Sequence, residues 1–452
     1  MSIRDRLQGV IQSHATVSNS TRASNERNNE AYHELKSRIH QGLLDRMDLA
    51  VLESLPQDRL LVEIKTLVER LLIEERTPIN DIERQRIVQD IQHEVLGLGP
   101  LEPLLADPTI SDILVNTHHQ VYVERRGKLE LTEVRFANEA HLRKIIDRIV
   151  SRVGRRVDES SPMVDARLAD GSRVNAIIAP LAIDGALLSI RRFAVVPLKV
   201  EDLIQHKSIT PAIADIIHGL VKSKCSILIS GGTGSGKTTL LNILSSFIPH
   251  SERVITIEDA AELQLQQPHV VRLETRPPNV EGKGEVTQRA LVRNSLRMRP
   301  DRVIIGEVRG AEAIDMLQAM NTGHEGSMAT IHANTPRDAL SRVENMVGMA
   351  GLNLPPKAIR QQISSAITVV IQVSRLSDGK RKIMSIQEIT GMEGDIITMQ
   401  EVYLFEQTGI AADGSVLGHF RATGIRPKFA ERLRIFGSPL GDDLFDPTRR
   451  YE

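Results

Sequence analysis

The sequence is poor in several features that would announce a protein's class. It has a single cysteine, Cys225, in 452 residues, so neither an intrachain disulfide nor a tetracysteine zinc module can form, which fits a reducing compartment. Tryptophan is absent and aromatic residues make up only 3%, which argues against base-stacking surfaces for nucleic acid. The net charge is −1, so no global basicity points to nucleic acid either. The one basic stretch, 141–156, alternates basic with apolar residues and reads as a solvated or subunit-contacting helix face. No run approaches the roughly 20 apolar residues that span a bilayer; the best one, 174–190, is broken by Asn175, Pro180 and Asp184. The first 20 residues lack the apolar core of a secretory signal. A soluble protein, free to dock on a membrane partner, is the expectation.

What is present divides into four stretches. Residues 1–30 are polar and rich in Ser and Asn, and read as a flexible arm. Residues 31–100 read as a helical bundle. Leu60, Ile64, Leu67, Val68, Leu71 and Leu72 share one helix face, and a second helix starts at Asn80 with Glu83 as capping-box partner. That helix carries Ile87, Val88, Ile91 and Val95, then stops at 97–100. Residues 101–205 read as an α+β domain, with hairpins over 120–134, turning at Arg126-Gly127, and over 163–178, turning on the two residues Asp170-Gly171. In 206–452, the third domain with its C-terminal tail, the apolar strands 226–230, 253–259 and 302–308 alternate with helices. This α/β pattern belongs to a mostly parallel sheet whose functional loops lie at the strand C-termini.

The chemistry concentrates there. Gly231, Gly232, Thr233, Gly234, Ser235, Gly236, Lys237 and Thr238 satisfy G-x-x-x-x-G-K-[ST], after an apolar strand and before a helical run that opens with Thr239. Glycines let backbone N–H groups converge on a phosphate, and the helix N-terminus adds partial positive charge. Lys237 is expected on the β- and γ-phosphates and the Thr238 hydroxyl on Mg²⁺. Glu307 ends a second apolar strand and is the choice for orienting water. Gly306 stands before it, where the common pattern has aspartate. Glu258 and Asp259 end a third strand; they lie near the metal if these strands flank the phosphate-binding strand, and the plainer alternative is a pair of helix-capping charges. His324 and His332 fall in a Gly/Ser/Thr-rich segment that reads as a γ-phosphate-sensing loop. Arg167, Arg173, Arg191 and Arg192 lie on strands of the preceding domain. Such charges usually face water, but an arginine also stabilises charge on a transferring phosphoryl group.

Taken in order, GGTGSGKTT, TIEDAAEL, IIGEVRG and GHEGSMATIHAN resemble the secretion ATPase superfamily of type II secretion, type IV pili and type IV secretion. GLGPLEPLL, SDILVN, DARLADGSRVNA and SIRRF are similar to the subgroup called CpaF, the motor of Flp/Tad pili. The resemblance implies a RecA-like P-loop ATPase domain preceded by a small α+β domain, and a homo-hexameric ring binding ATP and Mg²⁺. It implies catalytic roles for Glu307, Glu258, Lys237, His332 and His324, and phosphate contacts for Arg173, Arg191 and Arg192. The Gly-Glu strand end is normal for that family. A cytoplasmic protein at the inner face of the membrane, acting on pilus platform proteins and not on nucleic acid, is the functional expectation. The alternative is a conjugation or export ATPase of the VirB11 type.

Overall fold

The computed structural model describes residues 32–46 in part, 56–75, 79–125, 127–193, 198–278 and 282–451; the arm read over 1–30 lies outside them. The chain divides into two units, Met1–Phe193 and Ala194–Glu452.

In the first unit, Leu35, Ile39 and Leu43 recur every four residues of a helical stretch, so one face is apolar. That face is buried against Ile64, Val68, Leu71 and Leu72 of α1 (Gln57–Glu74) and Ile87, Val88 and Ile91 of α2 (Asp81–Leu96). Asn80 Oδ1 accepts from Glu83 N–H at 2.8 Å and Glu83 Oε2 accepts from Asn80 N–H at 3.1 Å, the reciprocal capping read from the sequence.

A six-stranded sheet follows, in the order β3-β2-β1-β6-β5-β4. Its strands are β1 (Ile110–Thr117), β2 (Gln120–Arg125), β3 (Lys128–Leu131), β4 (Met163–Arg167), β5 (Arg173–Ile177) and β6 (Leu187–Arg191). Every pairing is antiparallel. Helix α3 (Glu139–Arg152) lays Leu142, Ile145, Ile146, Ile149 and Val150 on the face made by Val174, Ala176, Leu188 and Ile190. The β4–β5 turn holds three residues rather than two. Leu168 pairs with Ser172, and Gly171 takes φ 91°, a left-handed position that glycine fills without strain.

The second unit carries a ten-stranded sheet ordered β16-β15-β14-β13-β12-β7-β11-β10-β8-β9. Its strands are β7 (Ile227–Gly231), β8 (Val254–Glu258), β9 (Val270–Glu274), β10 (Arg302–Val308), β11 (Met328–Ile331), β12 (Val369–Arg375), β13 (Arg381–Glu393), β14 (Ile396–Ile410), β15 (Val416–Ala422) and β16 (Arg450–Tyr451). The run β12 to β9 is parallel; β13 to β16 extend it antiparallel. The helices are α4 (Pro211–Lys222), α5 (Lys237–Ser246), α6 (Gln288–Ser295), α7 (Glu312–Asn321), α8 (Pro336–Gly348), α9 (Pro356–Ala366) and α10 (Phe429–Ile435).

Alternate residues of β7 serve opposite cores. Ile227 and Ile229 pack with α4 and α5, and Leu228 packs with α7, α8 and α9. A strand buried on both faces is apolar throughout, which is why 226–230 shows no polar alternation. Among the described residues no helix is long and apolar enough to cross a membrane.

Candidate active site

The phosphate-binding loop grows out of β7. A Cβ on Gly231 would come within 2.5 Å of the Val373 carbonyl oxygen and of Ser235 Oγ, so only glycine permits this approach of β7 to β12. Gly234 and Gly236 take φ 67° and 96°, and Ser235 Oγ donates to the Gly232 carbonyl at 2.9 Å. Gly236 caps α5 without a side-chain hydrogen bond. No capping side chain therefore occupies the first-turn N–H groups at Lys237, Thr238 and Thr239, and such a terminus attracts anions. Thr233 is exposed at the tip, and Arg381 Nε on β13 holds the Gly234 carbonyl at 2.9 Å.

From the start of α5 a string of polar side chains crosses the strand ends. Lys237 is 8% exposed, and its Nζ donates to the carbonyls of Gly231 and Gly232 at 3.0 and 2.9 Å. It lies 3.2 Å from His332 Nε2, which is itself 2.9 Å from Glu307 Oε1. Arg309 grips Glu307 Oε2 through Nε and Nη2 at 3.0 and 2.6 Å and reaches Asp259 Oδ2 at 3.1 Å. Burial lowers the Lys237 pKa, with Glu307 opposing. Burial and then Lys237 lower that of His332, so the imidazole is neutral at neutral pH. A cation, a neutral imidazole and a carboxylate thus stand in line at the mouth of an anion cradle. That arrangement can hold a phosphate at one end and a water at the other.

The strand order differs from the simplest arrangement. Strand β11 lies between β7 and β10, and β8 lies beyond β10, so neither acidic strand flanks β7 directly. His332, leaving β11, fills the intervening place and links Lys237 to Glu307. Glu258 reaches inward because Gly306 gives it room: a Cβ on Gly306 would sit 2.8 Å from Glu258 Cγ. Glu258 Oε2 accepts from the N–H groups of Glu262 and Leu263 at 2.7 and 2.9 Å. Its buried Oε1 has no hydrogen-bond partner among the described residues. Burial pushes the Glu258 carboxyl up. Asp259 is half-exposed and paired to Arg309.

The family model for type II/IV secretion system proteins matches residues 94–410, well over half of the chain and the whole string from Gly231 to His332. The chain belongs to the type II/IV secretion system protein family. A putative conjugal transfer protein of Mycobacterium tuberculosis is 38% identical over 324 residues, spanning 70% of this chain and 92% of that protein. The type IV secretion system protein VirB11 of Brucella suis is 31% identical over 303 residues, spanning 61% and 84%. The crystal structure of the Brucella suis VirB11 ATPase in complex with sulphate aligns at 30% identity and TM-score 0.35, covering 64% of this chain and 95% of that one. Within the secretion family, then, the helices before residue 94 stand outside the shared part.

Not every expected residue joins the site. His324 lies four residues before β11 and His332 directly after it, so the strand separates them. The His324 Nδ1 meets the Pro300 carbonyl at 3.0 Å, at the entry of β10 and β11, away from Lys237. In the first unit, Arg167, Arg173 and Arg191 are direct cross-strand neighbours on β4, β5 and β6 and share one face. Adjacent like charges repel; Asp112, next in the row, offsets part of this by bonding Arg191 at 3.2 Å. Arg192 does otherwise: its Nη1 donates to the Asp107 carbonyl and lies 3.4 Å from that of Ile110.

Arg309 is the residue the motif reading passed over. It directly follows β10, two residues beyond Glu307, and a base so soon after the strand-end acid was the available signal. Among the described residues no three His, Cys, Asp or Glu side chains form a metal cage. Oxygen donors suited to a hard divalent cation are present in the Thr238 hydroxyl and in Glu258, whose buried Oε1 is unpartnered among the described residues, and these would hold such an ion if it entered with phosphate.

Proposed function

We propose that this chain is an ATP-hydrolysing motor subunit, a homo-hexamer at the cytoplasmic face of the membrane. It couples hydrolysis to domain motion that powers assembly of Flp/Tad-type pili through membrane platform proteins. The observation that supports it most is the line Lys237, His332, Glu307 at the start of α5. In this reading the amides of Gly232 to Thr239 cradle the phosphates. Lys237 exchanges the Gly231 and Gly232 carbonyls for β- and γ-phosphate oxygens. Glu307, its second oxygen held by Arg309, orients the attacking water and takes its proton. His332, between them, registers whether the γ-phosphate is present. Glu258 and Asp259 complete the acidic rim, and a Mg²⁺ ion entering with the nucleotide beside Thr238 would neutralise phosphoryl charge. Arg173 and Arg191 are proposed phosphate contacts, supported by their like-charged row; Arg167 extends it. For Arg192 and His324 the resemblance is the support.

Phosphate release from purified, assembled protein tests this. Lys237→Ala is expected to abolish turnover. Glu307→Gln is expected to lower it by about 10²- to 10⁴-fold, the usual worth of a positioned base, while labelled ATP is still retained. Unchanged turnover in either variant refutes the assignment.

A second reading, a conjugation or export ATPase, draws support from relatives described as conjugal transfer and type IV secretion proteins. The CpaF-like motifs and the helical bundle ahead of the family match favour the pilus. A strain lacking the gene decides between them: loss of surface pili with intact DNA transfer supports the first reading, and the reverse supports the second.

A further inference from the structure

The first unit contains a cavity of about 140 Å³ that the nucleotide chemistry does not use. Its walls come from the helical stretch before α1 (Lys36, His40), from α2 (Glu94), from the segment before α3 (Arg135) and from α3 (Lys144, Arg148). Four permanent cations and two imidazoles, His40 and His141 of α3, therefore surround one carboxylate.

That carboxylate is already spoken for. Glu94 Oε1 accepts from Lys36 Nζ at 2.9 Å, and Oε2 lies 2.8 Å from His141 Nε2. The Ala137 N–H donates to His141 Nδ1 at 3.2 Å, so the ring proton sits on Nε2 and is given to Glu94. Glu94 thus neutralises Lys36, which also approaches Asp90 at 3.9 Å. Arg148 Nη1 donates to the main-chain carbonyls of Glu94 at 2.7 Å and Gly97 at 2.5 Å. Arg135 and Lys144 have no hydrogen-bond or ion-pair partner among the described residues. The lining carries positive charge that no acid here balances, and burial together with Lys144 and Lys36 keeps the His40 pKa below its ordinary value despite Glu94.

We propose that this cavity is a binding site for a small phosphoryl anion, held by Lys144, Arg135 and His40 and backed by Arg148. The volume is well above what a single water needs and leaves room for a tetrahedral oxyanion. Donors converge from three chain segments, which suits a tetrahedral dianion better than a planar carboxylate. A bound anion would fasten the helical stretch, α2 and α3 to one another, so occupancy stabilises the first unit.

The test uses the full chain carrying Lys237→Ala, so that the loop ammonium does not compete for phosphate. Calorimetric titration with inorganic phosphate and with AMP, at fixed ionic strength, is expected to show saturable binding. Lys144→Gln should weaken it about tenfold, the worth of one charge-assisted hydrogen bond, and Lys144→Gln with Arg135→Gln should weaken it further. Both side chains are exposed at the rim, so folding is expected to survive; acylation of Lys144, slowed by phosphate in the chain that keeps Lys144, provides a reading that needs no rim variant. Flotation with phosphatidic acid vesicles separates the sources. Vesicle binding lost in the same variants, without binding of free phosphate or AMP, assigns the phosphoryl group to a lipid. Absence of binding to all three probes, or binding indifferent to both rim substitutions with Lys144 unprotected, overturns the proposal.

Discussion

Glu94 and Glu258 are buried almost equally, at 6% and 3% exposure, yet their surroundings drive them in opposite directions. Burial alone would raise the Glu94 carboxyl, but the His141 bond and Lys36 override it and pull the pKa down to about 2. At Glu258 burial prevails: two backbone N–H groups and Arg272 fall short of offsetting it, and the carboxyl is pushed up. Both Glu94 oxygens are partnered, whereas one Glu258 oxygen is not. Fully satisfied polar clusters rigidify a fold, and a buried acceptor without a partner costs stability unless something arrives to use it. The first unit uses its buried acid to tie α2 to α3 and to the helical stretch before α1. The second leaves Glu258 open at the strand ends, and Glu307 Oε1 there has no hydrogen-bond partner among the described residues either.

The largest expected effect tests the satisfied half. Glu94→Gln removes the charge that Lys36 and His141 hold, and is expected to cost about 3 kcal/mol near neutral pH, the free-energy equivalent of the depressed pKa. Because the folded value lies below the unfolded 4.5, this stability is present above pH 4.5 and lost as pH falls towards 2. Melting curves over that range should slope for the parent and flatten for the variant. A variant as stable as its parent at pH 7 would erase the contrast with Glu258.

Next in size is Arg309→Gln, which frees Glu307 Oε2 and Asp259 at once. Turnover at saturating ATP is expected to fall about 10- to 100-fold, with little change in KM, because the loss is one of orientation at the reacting end. Arg309 is 56% exposed, so stability should move by no more than about 0.5 kcal/mol. A large drop in melting temperature with unaltered kcat would make Arg309 a structural tie and break the division between a rigid first unit and a chemically poised second one.

How far the sequence announces this arrangement depends on the distance along the chain over which each feature is built. The phosphate loop is legible because β7, the glycines and Lys237 lie within a dozen residues and act through local backbone geometry. The capping box at Asn80 is legible for the same reason. His324 and His332 look equivalent in sequence, eight residues apart in one polar segment. A four-residue strand between them places one ring at the Pro300 carbonyl and the other at Glu307. The reason for Gly306 is equally remote: it is the space taken by Glu258, 48 positions earlier, and it exists only because β8 pairs with β10. The insertion of β11 between β7 and β10 is set by crossover connections that no local pattern encodes. Arg309 could have been read, since a base two residues after a strand-end acid can fold back onto it.

The smallest effect concerns Glu258 and has the opposite sign from that at Glu94. A carboxyl raised on folding contributes stability that is complete below its unfolded value of 4.5 and is lost as pH climbs through the raised folded value. As pH rises the anion is therefore buried at a growing cost, and Glu258→Gln, which keeps an oxygen for the Glu262 and Leu263 N–H groups, should stabilise the chain at the higher pH by up to about 1 kcal/mol. The same change is expected to reduce phosphate release. Melting temperature and turnover measured together at pH 5 and pH 8 check both. The stability gain should be larger at the higher pH, where the parent carboxyl carries more of its charge. A variant less stable than its parent at pH 8 would mean that the carboxylate is held as firmly as Glu94, and the open carboxylate oxygen would then be that of Glu307, whose Oε1 also lacks a hydrogen-bond partner among the described residues.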